Sequence, residues 1–230
     1  MEIISQVLRH FPGRFATELG IALKAGPAER QKWFLAAILY GARISGKLAA
    51  RTYRVFADRD IYTPEAILKE GWDNLVVLLD AGGYARYDFK TATKLLKVMD
   101  SLTGQYQGSL EQLHAAAADN ADLEQRLQDL ASGIGPATVN IFLRELRGVW
   151  PKAQPDLSPL AQLAGEHLGL LPPNLSPAAA LAALEKAWRR QPAASHDFAD
   201  LEAALVRLGR DYCRKPQAHP CPLAEYCGRE

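Results

Sequence analysis

The chain has 230 residues, of which 48% are hydrophobic and 23% charged, and a formal net charge of +1 at pH 7. This length and apolar fraction allow one large domain or two small ones with a substantial core, and they exclude an intrinsically disordered chain. The longest apolar stretches, such as Trp33 to Gly41 and Leu75 to Leu79, are too short to cross a bilayer, and no basic segment leads into an apolar one near Met1, so a cytoplasmic protein is expected.

Ala and Leu dominate, valines are few, and Gly and Pro fall mainly between segments of helical period, which predicts an all-α fold. Pro27-Ala28-Glu29 opens a helix ending near Ala42, with Trp33, Phe34, Ala37, Ile38 and Gly41 at helical spacing. Ser45 caps a second helix running to about Asp58, and Thr63-Pro64 starts a short one that Gly71 closes. Trp72 to Asp80 follows and meets the pair Gly82-Gly83. Asp88 to Leu102 reads as an amphipathic helix with Leu95, Leu96, Val98 and Met99 inward, and Ser109 to Gln112 has the spacing of a capping box. Helices are predicted over Ala121 to Ala131 and Pro136 to about Val149, then over Pro159 to Leu168, Pro177 to Arg190 after the cap Ser176, and Asp197 to Tyr212.

Between two of these helices lies Gly133-Ile134-Gly135-Pro136-Ala137-Thr138. A glycine turn there leaves backbone N–H groups free at the head of the next helix, and with the helix dipole they form a seat for phosphate. Asp156 follows in Gln154-Pro155-Asp156-Leu157-Ser158-Pro159, readable as a carboxylate for chemistry or as a helix cap, although Ser158, directly before Pro159, is the better cap. Basic residues gather at Arg43 to Arg59, at Arg86, Lys90, Lys94 and Lys97, and at Arg207 to Lys215, each group readable as a solvated helix face or as part of a phosphate-binding surface. All three cysteines lie in the tail, at Cys213, Cys221 and Cys227, a clustering that suggests a metal rather than disulfides.

On these residues the chain resembles the helix-hairpin-helix (HhH-GPD) DNA glycosylase superfamily, in its endonuclease III-like branch. The resemblance covers roughly Phe34 to Asp156, with an echo in the tail. It implies two helical domains flanking a DNA-binding cleft: a six-helix barrel with the helix-hairpin-helix over 28–150, and a second domain from 1–27 and 151–230. It further implies an enzyme of base excision repair that acts as a monomer on double-stranded DNA holding a damaged or mismatched base. Gly133, Ile134, Gly135 and Thr138 correspond to the phosphate-binding hairpin, and Asp156 to the catalytic aspartate that stabilises oxocarbenium character at the sugar and helps deprotonate water. Arg43 aligns with a gap-filling glutamine and Tyr84 falls near the second intercalating position, where leucine is more usual, so that Tyr84 either stacks on DNA or is buried; Arg86 and Lys90 are expected phosphate contacts. Trp33, Phe34, Tyr40 and Tyr53 are either core or partners for an extruded base.

Two departures from the family's pattern matter. Bifunctional members place a Schiff-base lysine where this chain has Ala137, so a monofunctional glycosylase is expected, since alanine offers no nucleophile. In the tail, Ala218 takes a ligand position of the family's [4Fe–4S] cluster, so the usual four-thiolate cage cannot form; either Cys213, Cys221 and Cys227 hold a metal with His219 as the fourth ligand, or the tail is a metal-free remnant whose thiols pack as small apolar groups. Competing readings are a non-catalytic helix-hairpin-helix DNA-binding protein, a bifunctional glycosylase with AP lyase activity drawing its amine from Lys47 or Lys152, and a redox sensor built on the cysteines.

Overall fold

The structure is a computed structural model that describes residues 3–214 and 220–228, and among these it contains α-helices, one π-turn and one 3₁₀ turn but no strand. The all-α expectation holds. In order the helices are α1 (Ile3–His10), α2 (Phe15–Glu18), α3 (Pro27–Tyr40), α4 (Gly46–Ala57), α5 (Pro64–Gly82), α6 (Asp88–Tyr106), α7 (Leu110–Ala116), α8 (Asn120–Asp129), α9 (Pro136–Glu145), α10 (Pro159–His167), α11 (Pro177–Arg190) and α12 (Phe198–Leu208). The chain divides into two compact units, Leu19–Gln154 on one side and Met1–Glu18 with Pro155–Glu230 on the other.

The first unit is organised around α3. Every residue from Trp33 to Leu39 is buried, so this helix is apolar on all sides and belongs in the middle of its neighbours rather than on a surface. The Trp33 indole donates to Phe142 O of α9 (3.1 Å), and Phe34 meets Phe142 edge to face at 5.0 Å. Trp33, Phe34 and Tyr53 are thus core side chains, which decides the alternative left open by the sequence, while Tyr40 is half-buried. The caps read from the sequence form, with Ser45 accepting from Leu48 N, Thr63 from Ala66 N and Ser109 from Gln112 N, but the capping box at Ser109 is only half made, because the Gln112 amide donates to Gln107 Oε1 (3.2 Å) and Ser109 N donates to Tyr106 O. α5 is broken at Gly71 (φ 71°, ψ 175°), so the predicted stop is real although helix resumes at once. Lys152 caps the far end of α7, donating to the carbonyls of His114 (2.7 Å), Ala115 (3.4 Å) and Ala117.

The second unit joins the two ends of the chain. Ile4, Val7, Leu8, Phe11 and Phe15 pack in one core with Leu201, Leu205 and Leu208, and α10 approaches the π-turn that follows α12 so closely that a Cβ at Gly209 would lie 2.1 Å from Leu160 O. Arg14 pairs with Asp197 and with Asp200 (2.9 Å), and Arg207 pairs with Glu18 (2.8 Å) and stands 4.2 Å from the Phe15 ring. These guanidiniums are buried, so replacing one of their carboxylate partners should cost more than breaking an exposed ion pair would.

Candidate functional site

The hairpin is built by local chemistry. After α8, Ile134 N donates back to Ala131 O (3.1 Å), and Gly133 between them takes φ +94°, a region that L side chains rarely adopt. Gly135 is extended and serves as N-cap of α9, with Pro136 at the first helical position. Glycine has no side chain with which to cap, so the first-turn N–H groups of α9 have no acceptor from the N-cap residue. Ile134 is buried and anchors the turn, whereas Gly133 is exposed.

Next to this turn is an open pocket of about 570 Å³, lined by Arg43, Lys90, Lys94, Ser132 and Gly133 among others, all from the Leu19–Gln154 unit. No Asp or Glu lines it. It therefore presents positive charge in a protein whose overall charge is close to zero. Lys94 is the most enclosed of its cations: its stem runs 3.5 Å from where a Gly133 Cβ would be, burial holds its ammonium below the usual lysine range, and no described side chain pairs with it. Sequence reasoning placed Lys94 only within a basic segment; its spacing from Lys90 put both on one helix face, but nothing local revealed that the hairpin packs against that face.

Thr138 ties the hairpin to α3. Its buried side chain sits so close to Gly41 that a Cβ there would fall 2.0 Å from Thr138 Oγ1, and this contact holds the Arg43 turn beside the head of α9. Since the side chains of Ile134 and Thr138 are both buried, only their backbone is left for a ligand. Arg86 is exposed, 5.6 Å from the Tyr87 ring. Tyr84 is a correction: its ring is 1% exposed, its hydroxyl donates to Leu39 O (3.1 Å), and burial pushes its pKa up to about 12. A side chain so enclosed packs the α5–α6 loop onto α3 and presents no face on which a base can stack.

Asp156 belongs to the other unit. Pro155, Leu157 and Ser158 are buried around it while Asp156 itself is exposed. Ser158 caps α10 by accepting from Ala161 N (3.3 Å), which leaves Asp156 outside the capping role. Ala137, second in α9, is exposed.

No protein-family model and no curated protein matches the sequence. Solved structures do match in three dimensions. A non-covalent endonuclease III–DNA complex superposes with a TM-score of 0.57 at 19% identity, covering 98% of this chain and 92% of that one. A trapped endonuclease III–DNA covalent intermediate, an estranged-adenine complex, gives a TM-score of 0.54 at 16% identity over the same shares of the two chains. The fold is that of endonuclease III.

An endonuclease III fold raises the question of the [4Fe–4S] cluster. Cys213 is buried in the π-turn that ends α12, while Cys221 and Cys227 are half-buried, with the Cys221 sulfur accepting from Leu223 N (3.4 Å). Among the described residues no three Cys, His, Asp or Glu side chains converge, so the cysteines as placed do not form a cluster cage, and His219 lies outside the described residues.

Proposed function

We propose that this chain is a monofunctional DNA glycosylase of base excision repair, acting as a monomer on double-stranded DNA and hydrolysing the bond between a damaged or mismatched base and its deoxyribose. The observation that carries the reading is the glycine hairpin with uncapped N–H groups beside a cationic, carboxylate-free pocket, in a chain with the endonuclease III fold. The backbone N–H groups at the head of α9 receive a phosphate, and Arg86 and Lys90 meet its neighbours. Arg43 fills the gap left by the extruded nucleotide and donates to the orphaned partner base.

Asp156 supplies the chemistry. Its carboxylate stabilises the oxocarbenium character that develops at C1′ as the C1′–N bond breaks, and it takes a proton from the water whose oxygen bonds to C1′. The base leaves with the bonding pair and is protonated, leaving an abasic site. Ala137 offers no amine for a Schiff base, so the strand stays intact. Lys152, a candidate amine elsewhere, is bound to three carbonyls at the end of α7, which disfavours it as a nucleophile.

The test is a panel of duplexes, each holding one lesion, assayed with and without alkali. Asp156→Asn should abolish base release while duplex affinity changes little, because the substitution removes charge and keeps shape. A wild-type protein that binds duplex DNA but releases no base from the panel would make the chain a non-catalytic binding protein.

A further inference from the structure

Among the described residues three large apolar side chains are exposed, Trp72 (39%), Val77 (64%) and Phe89 (58%), and the two aromatic ones touch, with ring centroids 5.3 Å apart at 40°. They come from separate elements. Trp72 follows the break at Gly71 in α5, and Phe89 stands in the first turn of α6. The pair is held in place by hydrogen bonds: the Trp72 indole N–H donates to Thr93 Oγ1 (3.0 Å), whose hydroxyl donates to Phe89 O (2.9 Å). With its one polar atom already satisfied, the indole offers apolar ring surface and nothing else.

Both rings line the pocket that also holds Arg43, Lys90 and Lys94 and reaches Ser132 and Gly133 of the hairpin. Its volume of about 570 Å³ lies within the span of about 300–1,000 Å³ common for small-ligand sites. Rigid aromatic surface ringed by cations with no carboxylate suits a ligand that is planar and apolar at one end and anionic at the other. An acidic peptide would use the cations and leave the rings idle; a paired base cannot turn its face to them.

We propose that this pocket binds an unpaired nucleotide of a DNA strand, with its base stacked on Trp72 and Phe89 and its flanking phosphates met by Lys90 and Lys94. The proposal rests on the reading of the hairpin as a DNA-phosphate seat, because that seat places a strand beside the pocket. It adds a second, sequence-tolerant grip that needs no residue of the Asp156 unit and that favours gapped, looped or single-stranded DNA over perfect duplex.

The experiment compares an oligothymidylate, a perfectly paired duplex and the same duplex carrying a looped-out trinucleotide, by tryptophan fluorescence and by salt-dependent titration. The wild type should quench on the oligothymidylate and prefer the looped duplex. Phe89→Ser and Trp72→Ala should each weaken the looped and single-stranded ligands about tenfold and leave perfect duplex within about twofold. Trp72→Phe should keep most of the affinity, because stacking needs a ring and not the indole N–H, and it guards against loss of the Thr93 bond as the cause. Lys94→Gln should flatten the single-strand salt dependence by a slope of about 0.7. Equal affinity of Phe89→Ser and wild type for single strands, or no preference of the wild type for looped over perfect duplex, overturns the pocket while the hairpin reading stands. A wild type that binds none of the three ligands overturns both.

Discussion

Gly41→Ala is the sharpest probe of how the hairpin is held. Gly41 closes α3 at φ −69°, ψ −10°, where any residue fits, so backbone strain plays no part in its cost. The obstacle is packing alone: an added Cβ would stand 2.0 Å from Thr138 Oγ1, 3.0 Å from Thr138 Cβ and 3.3 Å from Ala37 O. Either Thr138 leaves its rotamer or the head of α9 moves, and overpacking of this kind costs about 1–3 kcal/mol. Thr138→Ala removes the nearest atom but keeps the Cβ at 3.0 Å, so the double variant should recover part of the loss, with a coupling of about 1 kcal/mol or more. Urea unfolding by tryptophan fluorescence suits the measurement, because Trp33, Trp72 and Trp150 all belong to the Leu19–Gln154 unit. Duplex affinity should fall in Gly41→Ala and partly return in the double variant, as Arg43 regains its place beside the turn. Strictly additive stabilities, within about 0.5 kcal/mol, would refute the argument that Thr138 is what Gly41 accommodates.

Three further outcomes follow from the same geometry. Gly133→Ala meets only Lys94 Cδ at 3.5 Å, so its cost is conformational, from φ +94°; a loss of about 1–3 kcal/mol in thermal stability together with weaker duplex binding is expected, and an unchanged melting curve would contradict the strained turn. Ala137→Lys should confer borohydride-trappable, strand-nicking activity on a protein that shows none; if the unmodified protein traps strongly, the monofunctional reading fails, and Lys94→Gln would then show whether the amine beside the hairpin is responsible. His114 stacks on Trp150 at 4.5 Å with Nε2 buried and without a partner, and its pKa is lowered, first by burial, then by Lys152 and Arg30 against Glu111. A histidine held neutral in the fold contributes stability above its unfolded value near 6.5, and that contribution is lost as pH falls below it toward the lowered folded value. The urea midpoint should therefore drop between about pH 7 and 5, and His114→Gln should flatten the drop; parallel profiles would rule His114 out as the cause.

What could be read from the sequence was whatever neighbouring residues decide. Ser45, Thr63, Ser158 and Ser176 each cap the helix expected of them, and α11 keeps its predicted bounds of Pro177–Arg190. The hairpin belongs to this class, because a glycine forced to positive φ and a proline at the first helical position act within a few residues. Errors came where a distant residue or an overlooked turn decided the outcome. α9 stops at Glu145 rather than near Val149 because the chain turns through Gly148 at φ +74°, whereas α6 continues past Leu102 until buried Tyr106 and Gln107 at φ +53° end it. The helix after Asp197 converts to a π-turn at Gly209, where Leu160 O leaves no room for a Cβ. Before Pro27, Ile4, Val7 and Leu8 carry the spacing of α1, but the helix is only eight residues long and has no acidic residue in its first turn to mark its start.

The pocket shows why a site is harder to read than a helix. Its residues come from the turn after α3, the break in α5, the first turns of α6 and the hairpin, four segments with no common local pattern. Tyr84 and Phe89 make the difference concrete. Both are aromatic and five residues apart, and position along the chain nominates Tyr84 alone, either to stack on DNA or to be buried. Folding decides between them: Tyr84 turns inward to bond Leu39 O, and Phe89 is left on the surface against Trp72. Local spacing can nominate an aromatic residue for stacking, but which ring meets solvent is settled by what the rest of the unit packs against it.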